Sequence, residues 1–289
     1  MAGSTAPALL LLALASTAGL LPATGSAEIE VDVILPDRLE AHPSELFRIN
    51  LLALRDPHVF IEVEPIPGFP ICVDATDPLT PDAPSFNGVI DQAINLDDDG
   101  DGFLDASPLL VLQPRGWPES PGALALVPGV CTAPAESTTC ETVDPFTTRW
   151  FDSLTEAVCR APLPGTVTGY TPAVPSIEGP CFATHPAPLS LAIEALPFNL
   201  EAATISASWT AVDTGVLGPG LLRGFLSQED AEAIIFPDEI EVIGGQTLAS
   251  LLAGGPGNCA TESDLDQFGG VDGWWFYFEI EAARPAAGD

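Results

Sequence analysis

Residues 274–280 read Trp-Trp-Phe-Tyr-Phe-Glu-Ile, and the alternation within them decides the fold class. In an extended chain successive side chains point to opposite faces. Trp274, Phe276, Phe278 and Ile280 then share one face, which the composition marks as core. Trp275, Tyr277, Glu279 and Glu281 share the other. Aromatic rings beside carboxylates make that second face a candidate ligand platform, and a carbohydrate is the ligand it suits. Same-face neighbours on a strand lie roughly 7 Å apart, which overlaps the ~6.5–9.5 Å between the carboxyls of inverting glycosidases. The plainer reading is an amphipathic strand whose outer aromatics pack beneath a loop.

The same period recurs upstream. Ile205, Ala207, Trp209 and Ala211 alternate with Thr204, Ser206, Ser208 and Thr210, and Leu217–Phe225 continues as a strand broken at Gly218-Pro219. Ile29, Val31 and Val33 alternate with Glu30 and Asp32. Phe47–Leu54 and Val59–Val63 read as strands joined by the turn Arg55-Asp56-Pro57-His58. Pro65–Pro84 is proline-rich and reads as irregular. Pro108–Leu112 is apolar throughout, the mark of a buried strand.

Helical spacing appears in short pieces. Phe86, Val89, Ile90 and Ile94 follow a candidate N-cap at Ser85. Ser227–Asp230 has a capping-box pattern ahead of a helix to about residue 235, and Gln246–Leu252 precedes Gly254-Gly255. A short helix near Phe151–Val158 is a further expectation. The sum is a mainly β chain, an antiparallel sandwich or open barrel with a few short helices and a cysteine- and proline-rich insertion over 114–187. Residues 28–289 are expected to form one domain, with a split near residue 187 as the alternative.

Between the first helix and the strand that follows it lies Asp97-Asp98-Asp99-Gly100-Asp101-Gly102-Phe103-Leu104-Asp105. So many like charges in nine residues repel one another unless a cation joins them. The run resembles the EF-hand-type calcium loop of EF-hand, dockerin and thrombospondin type 3 repeats. Registers starting at Asn95 and at Asp97 both fit the DxDxDG pattern; the second also places Leu104 at the apolar eighth position. The resemblance implies side-chain ligation of a structural Ca²⁺ by Asp97, Asp99 and Asp101, the carbonyl of Phe103, and Asp105 directly or through water. The family's closing bidentate glutamate is replaced by Pro108. Another group must then complete the shell, with Asp91, a distant carboxylate or water as the options. Asp264, Asp266 and Asp272 form a second acidic stretch whose spacing fits no metal pattern.

Residues 1–27 have the apolar core and small-residue end of a secretory signal. Its apolar run of roughly 14 residues is short of the ~20 that span a bilayer, and no later segment is long enough to do so. A secreted or periplasmic chain with six cysteines (Cys72, Cys131, Cys140, Cys159, Cys181 and Cys259) is expected to carry three disulfides. Cys131–Cys140 is the local pair, with Cys159–Cys181 and Cys72–Cys259 the expected others. The formal charge is −33, from 41 acidic against 8 basic residues, all arginine. Such a surface repels nucleic acid and anionic membranes. The three histidines, His42, His58 and His185, form no HxxxH or HExxH pair, and there is no GxSxG elbow. The reading is a secreted, calcium-stabilised, disulfide-stapled β protein with a binding or surface-structural role, its partner a carbohydrate or cell-surface component. A carbohydrate-active hydrolase using paired carboxylates is the alternative.

Overall fold

The computed structural model describes residues 44–80, 83–113, 122–143, 149–154, 160–166, 180–193, 196–208, 215–238, 240 and 243–286. The expected signal, the strand at 29–33, His42, Cys159 and Trp209–Ala211 lie outside them. In chain order the strands are β1 (Glu45–Asp56), β2 (Phe60–Ile66), β3 (Phe69–Asp74), β4 (Pro108–Gln113), β5 (Gly122–Cys131), β6 (Cys140–Thr142), β7 (Arg149–Leu154), β8 (Cys181–Thr184), β9 (Ala187–Ile193), β10 (Leu196–Ser208), β11 (Val216–Ser227), β12 (Asp266–Phe268) and β13 (Val271–Ala283). The helices are α1 (Phe86–Asn95), α2 (Gln228–Ala233) and α3 (Leu248–Leu251).

The main sheet runs β1-β4-β5-β7-β8-β10-β11-β13, every neighbouring pair antiparallel, and β13 pairs back onto β1. The result is an eight-stranded antiparallel barrel. The mainly β expectation holds, and the antiparallel sheet forms a barrel that is closed by β1–β13 rather than open. At eight strands an interior is just wide enough for side chains to fill it. Phe47, Leu110, Phe151, Phe182, Phe198, Trp274, Phe276 and Phe278 do so, all nearly inaccessible. Apolar residues thus fill the inside, where a membrane barrel has a polar lumen. Among the described residues no helix is long and apolar enough to cross a membrane. The strands β6, β9 and β12 extend the sheet beside β5, β10 and β13.

Three strands change phase midway. In β1 the residues in the core are Phe47 and Ile49, then Leu52 and Leu54, with an irregularity between Ile49 and Leu51. In β10 they are Leu196, Phe198 and Leu200, then Ala203, Ile205 and Ala207, and Ala202 between them has φ +47°. In β11 the phase moves from Leu217 to Leu222 across a cis Gly218–Pro219 bond. An extra residue in one strand shifts a two-residue period by one, so both halves of each strand keep their apolar side inward.

The structure departs from the sequence reading in two places. Residues 65–84 are not wholly irregular, because β2 extends to Ile66 and pairs with β3 as a hairpin. The stretch 114–187 supplies three barrel strands, β5, β7 and β8, and the helix expected at 151–158 begins as strand β7. Phe151 and Phe182 from this stretch pack together in the core, with ring centroids 4.9 Å apart. Two disulfides are formed between described residues, Cys72–Cys259 and Cys131–Cys140. Cys181 is also disulfide-bonded, while Cys159, its expected partner, lies outside the described residues.

Candidate metal centre

Helix α1 carries the chain to the aspartate loop. Ser85 caps it, accepting from Gly88 N–H at 3.0 Å. The side chain of Asn87 bonds Leu54 through both backbone groups, fixing the helix against β1. Its other end meets Arg48, whose guanidinium donates to the carbonyl of Ile94 at 2.8 Å and to Asn95 Oδ1 at 3.0 Å. A cation there satisfies both the orphan carbonyls and the negative end of the helix dipole.

The loop closes at its neck. Asp105 N–H donates to Leu96 O at 3.2 Å, and Ala106 N–H to Ala93 O at 2.7 Å. Asp97 is the hub: Oδ1 accepts from Gly100 N–H at 2.8 Å and Asp101 N–H at 3.0 Å, and Oδ2 accepts from Gly102 N–H at 3.0 Å. That wrap needs two backbone reversals, taken by Gly100 (φ +74°) and Gly102 (φ +93°), a region costly for side-chain-bearing residues. On the far side Leu104 N–H donates to Cys131 O, and Ala133 N–H donates to Gly102 O, both at 2.9 Å. Leu104 is buried with Leu109, Val111, Val127 and Cys131 on the outer face of β4 and β5. The Cys131–Cys140 bridge stands directly behind this contact.

The carboxylates of Asp97, Asp99 and Asp105 converge, each offering an oxygen within 4.8 Å of the other two. Among the described residues this is the one group of acidic, histidine or cysteine side chains with that property. Asp101, expected as a ligand, stands outside the trio, and its Oδ1 accepts Phe103 N–H at 2.8 Å. Phe103 forms a lone antiparallel bridge with Thr132 and is exposed. Asp91, an option for completing the shell, accepts from Asn95 Nδ2 at 2.9 Å instead. Asp98, which the motif does not single out, donates its N–H to both oxygens of Asp105 at 3.3 Å. Burial, with the charges of Asp98, Asp99 and Asp97, raises the Asp105 carboxyl above its ordinary value against that hydrogen bond. A hard cation suits such a donor set, because calcium prefers carboxylate and carbonyl oxygens.

No family model, curated protein or solved structure matches this chain.

The other predicted sites take different places. Trp275 and Tyr277 are buried on the outer face of β13, clustered with Leu221 and Phe225 beneath Leu163. The Tyr277 hydroxyl accepts from Leu163 N–H at 3.1 Å. Glu279 is buried too, and Arg55 Nε donates to its Oε2 at 2.9 Å. Glu281 is half-buried. The expected ligand platform is thus covered: Leu163 packs on the cluster beside Tyr277, and Phe268 meets Trp275 edge-on with ring centroids 5.3 Å apart. Asp264, Asp266 and Asp272 do not converge: Asp264 meets His58 N–H, and Asp272 accepts from Gln267 Nε2. A groove of about 420 Å³ opens beside the aspartate loop, lined by Asp105, Pro108, Leu126, Pro128, Leu191 and Pro197 among others. No local spacing announces it, because β4, β5, β9 and β10 each contribute one wall.

Proposed function

We propose that this is a secreted β-barrel protein whose aspartate loop holds a structural calcium ion, with a binding or surface-structural role. The observation that carries the reading is the convergence of Asp97, Asp99 and Asp105 on a loop tied to three elements. The loop joins the end of α1, the start of β4 and the disulfide-closed β5–β6 hairpin. A cation at the trio would offset the mutual repulsion of the carboxylates and fasten these elements together. Calcium takes six to eight oxygens, and Pro108 occupies the position of a closing acid. The affinity therefore belongs to the weak, extracellular range of ~10⁻⁴–10⁻³ M. The disulfides fit an oxidising compartment. The groove beside Asp105 supplies a concave, mostly apolar surface for the binding role.

Thermal unfolding in calcium and in chelator tests the reading. Calcium at 100-fold over the dissociation constant should add ~2.7 kcal/mol, and Asp97→Asn should abolish most of that gain. Absence of any shift up to ~10 mM calcium, tenfold above the weakest affinity expected, would overturn it. A hydrolase using paired carboxylates would need acids other than Glu279, which is buried against Arg55.

A further inference from the structure

We propose that the tip of the β2–β3 hairpin is a lipid-contact site, in which Ile66, Phe69 and Ile71 enter the surface of a bilayer with neutral, zwitterionic headgroups. The proposal is independent of the calcium reading. The hairpin leaves the barrel after the Asp56–Pro57 turn, and its apolar side chains are paired across the strands: Ile61 with Val73, Val63 with Ile71, Ile66 with Phe69. At the base Ile61 packs on the barrel core. At the tip Ile66, Phe69 and Ile71 are 61%, 68% and 50% exposed. The turn between them is made by Gly68 (φ +81°), with open space where a Cβ would stand. The base is held by the Cys72–Cys259 bridge and by His58 Nδ1 at 2.9 Å from Asp74 Oδ2. The tip is therefore presented on a stapled support.

Three observations select the occupant. Pro65 and Pro70 lie within the two strands and offer no N–H, which disfavours addition of another strand to these edges. The three tip side chains are 50–68% exposed, and three side chains fall well short of the ~800 Å² per partner in a stable protein interface. That area is too small for a dimer, whereas a bilayer accepts an apolar tip without a matching surface. Glu62 is paired with Cys72 off the apolar face, Glu64 accepts Gly68 N–H at the turn, and the whole chain carries −33. Such charge is repelled by anionic lipid, which leaves the neutral headgroup.

The test is cosedimentation of the exported chain with phosphatidylcholine vesicles. Wild type should bind, Phe69→Ser and Ile66→Ser should each weaken binding at least about tenfold, and phosphatidylserine in the vesicles should weaken it further. Both positions are exposed, so the thermal midpoint should not move; if Phe69→Ser lowers it, Ile66→Ser alone decides. No binding to phosphatidylcholine, or equal binding by the folded variants, overturns the proposal. So does a concentration-dependent dimer that Phe69→Ser dissolves, which would assign the tip to a second copy.

Discussion

His58 stands between two carboxylates with opposite tendencies. Burial pushes Asp74 upward, but hydrogen bonds from His58 and Thr76 outweigh it and hold the carboxyl below its ordinary value. Asp74 then contributes stability that is present above the unfolded pKa and is lost as pH falls through the lower folded one. Asp264 is raised by burial and by the charges of Glu262 and Asp74, against a backbone bond and charge from His58. Its contribution is full below the unfolded pKa and is lost as pH rises through the folded one. Asp264→Asn should therefore be more stable than wild type at pH 7, by under about 1 kcal/mol, with the difference vanishing below the ordinary carboxylate pKa of ~3.9. Urea midpoints at the two pH values check both the sign and the window. The Arg55–Glu279 pair is mostly buried, with side chains 17% and 10% exposed. Arg55→Met leaves a buried carboxylate unpaired and should cost about 3 kcal/mol. The double variant Arg55→Met/Glu279→Met should recover most of that loss, which chemical denaturation would show.

At the scale of elements, the legible features were those whose physics is local. Ser85 caps α1, and Ser227 caps α2 by accepting from Asp230 N–H at 3.0 Å. Both were visible because a cap is a relation between residues three apart. The aspartate loop was legible for the same reason, as alternating carboxylates and two glycines. Which carboxylates converge was not, because Asp101 is drawn off by Phe103 N–H and Asp105 is positioned by the neck at Leu96. The loop is anchored by Leu104 as well as by any cation. Leu104→Ala should cost about 2–4 kcal/mol in chelator as well as in calcium, whereas Asp99→Asn, which keeps the oxygen that accepts Asp101 N–H at 3.0 Å, should matter chiefly when calcium is present. Paired melting curves separate the two anchors. The phase changes in β1, β10 and β11 escaped the sequence reading, because a one-residue bulge preserves apolar composition while exchanging the faces.

At the scale of the whole molecule, the Cys72–Cys259 bridge spans 187 residues of chain. It connects the base of an outlying hairpin to the segment before β12. Cys72→Ser/Cys259→Ser should cost about 2–5 kcal/mol and raise amide exchange through β2 and β3, with the Cys131–Cys140 bridge intact by mass mapping. The sequence by itself determined the β class, the acid excess, the caps, the aspartate loop and the core side of β13, since each follows from neighbouring residues and a period of two or 3.6. Only the tertiary structure decided that the barrel closes through β1 and β13, that residues 122–184 supply three of its strands, and that Trp275 and Tyr277 lie covered beneath Leu163. The physical reason is that strand pairing and the covering of an outer face join residues far apart in the chain. An apolar alternation records that a face is buried, and leaves open what buries it.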